Sequence, residues 1–423
     1  MGEVHALNVV FISTSVGFPY GMASSSRIRL LALSLVKQGS SVSVLVIRGT
    51  EKAGQKSLNT EAQGVWQGVS YEYVSGSPFI PRQTLVRGFY RLCGFIKTML
   101  LLAKLKEEGK LDVVIFYTRD LWTIAKFSKV CHRLNIPVVL ELCEWPIAQV
   151  NSHGGSKGRA EKFCREVFDY VDAVIPISSF IEDRVREYGC RKGCVIPWLR
   201  IPALVDVEGF QNSQARSPEA LLMYCGSLGY RNILKTVVDT CVILKKRHLS
   251  FRMTILGGQS SPDEFKWARE YVHETGVLDR IDILEYVSDS DLRKTYEKAT
   301  AFLAPIPNDL QSLARFPTKI GEYLASGRPV ITTRFGEAAY YLKDGVNAFV
   351  VEEYDAARLA EKVLYVTHNP AKAINVGIEG RNLAYSSFHY DLYGAPLLAF
   401  LQEIVVEKND SFSSSARACG DKC

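Results

Sequence analysis

A chain of 423 residues, 47% hydrophobic and 23% charged, is neither fibrous nor compositionally disordered, and it fits two domains of roughly 200 residues each better than one core. Its formal charge of +6, from 51 Lys and Arg against 45 Asp and Glu, argues against a nucleic-acid partner and leaves anionic ligands or a membrane surface. No positive leader precedes an apolar core at the start, and the longest apolar run, Phe95 to Leu105, is interrupted by lysines and too short to cross a bilayer; the expected location is cytoplasmic, or peripheral at the inner surface of a membrane.

In chain order, the first half alternates strands and helices. Leu7 to Ser13 is a continuous apolar run, followed by a glycine-containing loop, a helix from about Ser26 to Lys37, a stop at Gly39 and a second apolar run at Ser41 to Ile47. This is the β-loop-α-β opening of a doubly wound parallel sheet. The segment Arg82 to Lys110 is an amphipathic helix with interleaved cations. Further strands are expected at Leu111–Thr118, Ile136–Cys143, Asp172–Ser178 and Cys194–Leu199.

From Pro202 to Pro218 the text turns polar and irregular, and the alternation then restarts. Strands are predicted at Ala220–Ser227, Phe251–Gly258, Ile281–Val287, Thr300–Ile306, Pro329–Thr333 and Ala348–Glu353, with a capped helix start at Ser288-x-x-Asp291. The chain is helical from about Asp355. The expected organisation is a first α/β domain over 1–205, a linker over 206–218, a second over 219–385, a helix over 386–408 returning to the first domain, and a disordered tail over 409–423. Most of the ten cysteines read as reduced core residues. The spacings Cys190-x3-Cys194 and Cys419-x3-Cys423 lack adjoining histidine ligands, so no metal and no resident cofactor are expected.

The stretch RFPTKIGEYLASGRPVITT, Arg315 to Thr333, concentrates ionisable groups ahead of a buried strand. With Pro317 opening a short helix and Gly327 ending it, Lys319 and Glu322 lie three residues apart on one face. A lysine beside a helix N-terminus favours an anion, and phosphate is the commonest.

Five stretches, in order, resemble the retaining family 4 of GT-B glycosyltransferases over about Asn8 to Val405: FPYGMASSSRIRLLALSLVKQGSSVSVL, VIPWLRIPALVDVEGF, LLMYCGSLGYRNILKTVVD, ILEYVSDSDLRKTYEKATAFLAPIP and RFPTKIGEYLASGRPVI. The resemblance implies two Rossmann-like domains facing a cleft and transfer of a sugar from a nucleotide-diphosphate donor to an acceptor hydroxyl with retention, in polysaccharide, glycan or glycolipid synthesis. Glu322 matches the family glutamate that hydrogen-bonds the donor ribose, and Lys319 lies where the donor loop meets phosphate and sugar. Gly21 and Gly226 fall in loops that approach the donor, Arg231 and Lys235 where the family neutralises the departing diphosphate, and Tyr286 in the stretch that walls the base.

Glu144 matches a position expected to touch the acceptor or sugar, which makes Glu144, Arg231 and Lys319 the expected catalytic set. Asp120 is a further acidic residue at a strand end. Three departures stand out: the first donor-motif glutamate is Ala314, the family arginine after the glycine is Ser227, and the N-domain histidine is Cys143. They motivate a rival, a nucleotide-sugar-binding subunit without turnover; a sugar-nucleotide epimerase is a third reading. The acceptor is a sugar or a lipid-linked sugar, with membrane contact through Arg82–Lys110.

Overall fold

The computed structural model describes residues 6–52, 57–149, 156–210 and 219–420, without the side chains of 149, 289, 290 and 411–420. Two compact units divide it. The first takes the described residues up to Ile147, those from 156 to Pro202 and those from Tyr390 onward; the second takes Ala148 and the described residues from Ala203 to His389.

The first unit opens with β1 (Asn8–Ser13), α1 (Ala23–Lys37) and β2 (Ser41–Val46), followed by β3 (Gln63–Trp66) and β4 (Val69–Tyr73). Then come α2 (Thr84–Glu107), β5 (Val113–Tyr117), α3 (Leu121–Arg133), β6 (Val138–Leu142), α4 (Lys157–Glu166), β7 (Ala173–Pro176) and α5 (Ser179–Lys192). The seven strands form one sheet in the order β3-β4-β2-β1-β5-β6-β7, parallel except for β3. Val9 of β1 faces Val42 and Val113, and Val139 of β6 faces Ala173, so β-branched runs meet in register through a sheet buried on both faces.

Two differences from the sequence expectation have local causes. The β3–β4 hairpin turns on Gln67 and Gly68, both at positive φ as a type I′ turn requires; glutamine is not the usual turn signal at that place. Cys194–Leu199 is no strand and makes only a bridge from Trp198 to Val174, because Pro197 has no N–H to give a ladder.

The second unit contains β8 (Ala220–Cys225), α6 (Arg231–Lys246), β9 (Phe251–Leu256), α7 (Pro262–Glu274), β10 (Ile281–Leu284), α8 (Asp289–Glu297), β11 (Ala301–Ala304), α9 (Leu310–Ala314), α10 (Thr318–Ala325) and β12 (Val330–Thr333). It ends with α11 (Ala338–Tyr341), β13 (Phe349–Val351), α12 (Ala356–His368) and α13 (Pro370–Leu383). Its six strands are parallel in the order β10-β9-β8-β11-β12-β13. Leu222, Met253, Leu303, Ile331 and Phe349 bring successive strands into one core with Val237 and Cys241 of α6. Ser288 caps α8 as its spacing predicts, its Oγ accepting from Asp291 N at 3.2 Å. Of the expected linker, residues 211–218 lie outside the described residues.

The final helix, α14 (Gly394–Gly420), belongs to the first unit. Lys408 Nζ donates to Asp172 Oδ1 at 2.7 Å, Asn135 Nδ2 to Asn409 Oδ1 at 2.8 Å, and Lys37 Nζ, on α1, to Asp391 Oδ2 at 2.5 Å just ahead of the helix. The helix continues past residue 409, where the sequence suggested a tail; residues 421–423 lie outside the described ones.

Candidate functional site

In the second sheet the strand order reverses at β8, whose neighbours are β9 and β11, and the loops leaving β8 and β11 flank the crevice where doubly wound sheets bind ligands. The β8 loop runs from Gly226 to Tyr230 and delivers the chain into α6. The first turn of α6 has no side-chain cap and no acidic residue, so its N–H groups and its dipole favour an anion.

The donor-like motif reaches the same end of β8. Pro317 sits one place outside α10 as its N-cap, and Gly327, at φ +72°, follows the helix. Between them Tyr323 is fully buried, its ring stacked on Phe302 with centroids 4.1 Å apart. Its hydroxyl accepts from Cys225 N at 2.7 Å and donates to Cys225 O at 3.2 Å, which fixes the last residue of β8. Tyr323→Phe leaves that buried N–H and C=O without these bonds and is expected to cost about 1–3 kcal/mol. Chemical denaturation measures it; an unchanged midpoint and slope would show that the hydroxyl holds nothing.

Beside Tyr323, Lys319 Nζ lies 2.7 Å from Glu322 Oε2, and the Tyr296 hydroxyl donates to the same oxygen at 3.4 Å. Both bonds fall on Oε2. Lys319 and Glu322 expose only 22% and 19% of their side chains, so the pair is partly shielded from screening by water. Burial pushes the Cys225 thiol up while the Lys319 cation draws it back, which puts the ammonium at the end of β8. Gly226 follows Cys225, the residue that Tyr323 of α10 holds, so the glycine and the Lys319–Glu322 pair, read from two separate stretches, both lie at the end of β8. Arg315 joins them through the β8 loop, its guanidinium 4.4 Å from the Tyr230 ring centre.

Arg231 and Lys235 are placed differently. Arg231 lies 4.8 Å from the Trp267 ring centre and Lys235 5.6 Å from that of Tyr271, the two rings being stacked along α7. Both cations are exposed, and contacts of this kind contribute only about 0.5–1 kcal/mol, so they do not hold a cation against a phosphate. Tyr286 follows β10, the edge strand two places from β8, and is half-buried.

In the first unit the order reverses at β1, between β2 and β5. Thr14 and Thr118, leaving β1 and β5, share a hydrogen bond at 2.6 Å. Gly21 lies in the loop after β1, where a Cβ would come 2.0 Å from Ser25 Oγ; that hydroxyl donates to Gly17 O at 2.8 Å, so the loop folds tightly on the start of α1. Glu144, after β6, accepts from Arg119 Nη1 at 2.7 Å on a partly exposed surface. Asp120 is exposed and accepts from Thr123 Oγ1 at 2.6 Å.

Beneath this edge lies a buried ionic group that the sequence did not disclose. Arg27 of α1 donates from Nε to Glu141 Oε1 at 2.8 Å and from its terminal nitrogens to the carbonyls of Ile201, at 2.7 Å, and Pro202. The Cys143 thiol lies 3.0 and 3.2 Å from the two Glu141 oxygens. Burial, reinforced by the neighbouring Glu141, pushes this thiol well up, so it stays protonated and donates to the carboxylate. Cys143 is thus committed inward.

A family model described as glycosyl transferases group 1 matches residues 207–383. The chain is 21% identical over 175 residues to the amylovoran biosynthesis glycosyltransferase AmsK of Erwinia amylovora, covering 40% of this chain and 42% of that one. It is 23% identical over 260 residues to a GDP-mannose-dependent alpha-(1-6)-phosphatidylinositol monomannoside mannosyltransferase of Mycobacterium tuberculosis, covering 57% and 65%. The chain therefore spans about two fifths to two thirds of the length of the curated relatives it matches. Among solved structures, the sucrose-phosphate synthase of Thermosynechococcus elongatus superposes with a TM-score of 0.70 at 16% identity, covering 97% of this chain and 99% of that one. That likeness is one of fold, two doubly wound parallel-sheet domains of the GT-B type.

Proposed function

We propose that this chain is a nucleotide-sugar-dependent glycosyltransferase that works with retention. The observation that carries the proposal is the Lys319–Glu322 pair, seated with Gly226 at the end of β8 beside the uncapped start of α6. Glu322 Oε1 is the oxygen to which ribose hydroxyls donate, since its bonds to Lys319 and Tyr296 both use Oε2. Lys319, the N–H groups of α6, and Arg231 and Lys235 once lifted from their rings, supply positive charge where the departing diphosphate gains negative charge. With that charge coming from the chain, the nucleotide sugar is a co-substrate and no resident cofactor is invoked.

In the transfer the acceptor oxygen bonds the anomeric carbon as its bond to the diphosphate oxygen breaks, and the acceptor proton passes to the departing diphosphate on the same face. Gly21 and Glu144 serve the acceptor and sugar, Tyr286 the base. A lipid-linked acceptor at the cytoplasmic face of a membrane agrees with the lipid named for the mycobacterial relative and with contact through Arg82–Lys110. A binding subunit without turnover is the second reading, favoured by the commitment of Cys143 to Glu141.

A thermal-shift screen against UDP-, GDP-, ADP- and dTDP-sugars tests the proposal. A ligand at 100 times its Kd adds about 2.7 kcal/mol to folded-state stability. The expected result is a rise of several degrees with one nucleotide series. Flat curves across all four would remove the nucleotide sugar from the chain, and a rise with no donor consumption in the presence of varied acceptors would favour the binding subunit.

A further inference from the structure

From Ser77 to Lys106 the chain carries Arg82, Arg87, Arg91, Lys97, Lys104 and Lys106 and no acidic residue. Taking these six from the 51 basic residues leaves 45 against 45 acidic ones, so this one segment holds the whole formal excess of +6. The remainder of the molecule is balanced.

Most of that segment lies in α2, which ends at Glu107 with Glu108 as its C-cap and packs by one face only. Gly94, Thr98 and Leu102 are its buried residues, and a Cβ on Gly94 would come 2.0 Å from the carbonyl oxygen of Ile47, so the helix backbone rests directly on the end of β2. Leu85, Phe89, Leu92, Ile96 and Leu100 are between 47% and 89% exposed. At about 100° and 1.5 Å per residue they fall within about 80° of arc, opposite the packed face, and run about 22 Å along the axis. Trp122, 57% exposed at the start of α3, extends the apolar surface beside Phe95, with ring centres 4.9 Å apart. Among the described residues no helix is long and apolar enough to cross a membrane. Lys97 lies about 100° to one side of the stripe's centre and Lys106 about 80° to the other, while Arg87 and Arg91 fall on the packed side and Lys104 pairs with Glu108 at 3.8 Å. An apolar stripe bordered by these two lysines is complementary to an anionic lipid surface, with fatty chains below and phosphates at the rim.

We propose that α2 lies in the headgroup layer of a bilayer rich in anionic phospholipid, its stripe inserted and Lys97 and Lys106 on lipid phosphates. The helix crosses the carboxyl end of β2, the same edge of the first sheet from which the Gly21 loop leaves β1, so docking brings that edge to the lipid surface. The inference deepens the lipid-linked acceptor reading above, but vesicle binding is measured without transfer, so either fails without the other.

The test is flotation of the full chain with vesicles of phosphatidylcholine alone and with roughly one third phosphatidylglycerol. Binding is expected to the second only and to fall with added salt. Lys97→Gln with Lys106→Gln should lower partitioning about thirtyfold, the factor for two cations near an anionic surface. Leu85→Ser with Phe89→Ser and Leu92→Ser should abolish flotation at low salt while the thermal midpoint and donor-induced shift stay, because these residues are exposed. Absence of flotation with anionic vesicles, or equal binding to neutral ones, overturns the proposal. So does light scattering that shows the stripe variants converting a dimer to a monomer without any vesicle binding, since the stripe then meets a second copy.

Discussion

Glu322→Ala is expected to weaken nucleotide-sugar binding roughly ten- to a hundredfold, the range for losing hydrogen bonds to a charged acceptor of about 1.5–3 kcal/mol. The substitution removes the carboxylate proposed to accept from the ribose and takes away the oxygen that lies 2.7 Å from Lys319 Nζ. The Lys319 ammonium stays where the proposed diphosphate binds, so the loss should appear in nucleoside contacts and spare inorganic pyrophosphate, a contrast that titration calorimetry measures directly. Glu322→Gln, which keeps the shape and one acceptor oxygen, should fall between. The fold should survive, because a helical pair three residues apart contributes only about 0.2–0.5 kcal/mol. Unchanged donor affinity in the alanine variant would take Glu322 out of the site.

Arg27→Met should destabilise the protein by about 3–5 kcal/mol, since it strands the Glu141 carboxylate in a fully buried place. Burial pushes the Glu141 carboxyl up while Arg27 draws it back; burial alone would lower the Arg27 guanidinium, and Glu141 more than offsets that. Without Arg27 the carboxyl rises further. A group whose folded pKa lies above its unfolded value binds more protons in the folded state, so the deficit should grow as pH rises through the folded pKa and shrink toward the acid side. Urea denaturation at several pH values measures both. Arg27→Met combined with Glu141→Leu should recover most of the loss, because two apolar groups replace a pair that was costly to desolvate. A deficit under about 1 kcal/mol at neutral pH would mean that water or a rearranged donor already serves Glu141.

Most strands of the two sheets were legible because β-branched runs bounded by turn residues leave few other conformations; the β3–β4 hairpin and the irregular course of Cys194–Leu199 were not. The donor-like motif was legible for a local reason: Lys319 and Glu322 lie within one short helix, which Pro317 and Gly327 bound on either side. Distant partners were not. Arg27 and Arg29 are alike in a serine-rich helix start, and nothing in their order tells which meets a glutamate 114 residues away. Nothing in the sequence singles out Tyr296 or Tyr323, and only the fold shows their hydroxyls directed to Glu322 and to Cys225. Arg231 and Lys235 were assigned to the correct helix start, but their stacking on Trp267 and Tyr271 depends on how α7 lies against α6.

The first unit is discontinuous in the chain, closing only with the segment that begins at Tyr390. A ribosome that has released residues up to Pro202 has not yet made the helix that carries Lys408 to Asp172, and the intervening segment to His389 must be synthesised first. At about 5–20 residues per second that interval lasts roughly 10–40 s. Throughout it the nascent first sheet waits with the surface destined for α14 bare, a natural stopping place for a chaperone, and the second unit is free to complete its own folding before the first.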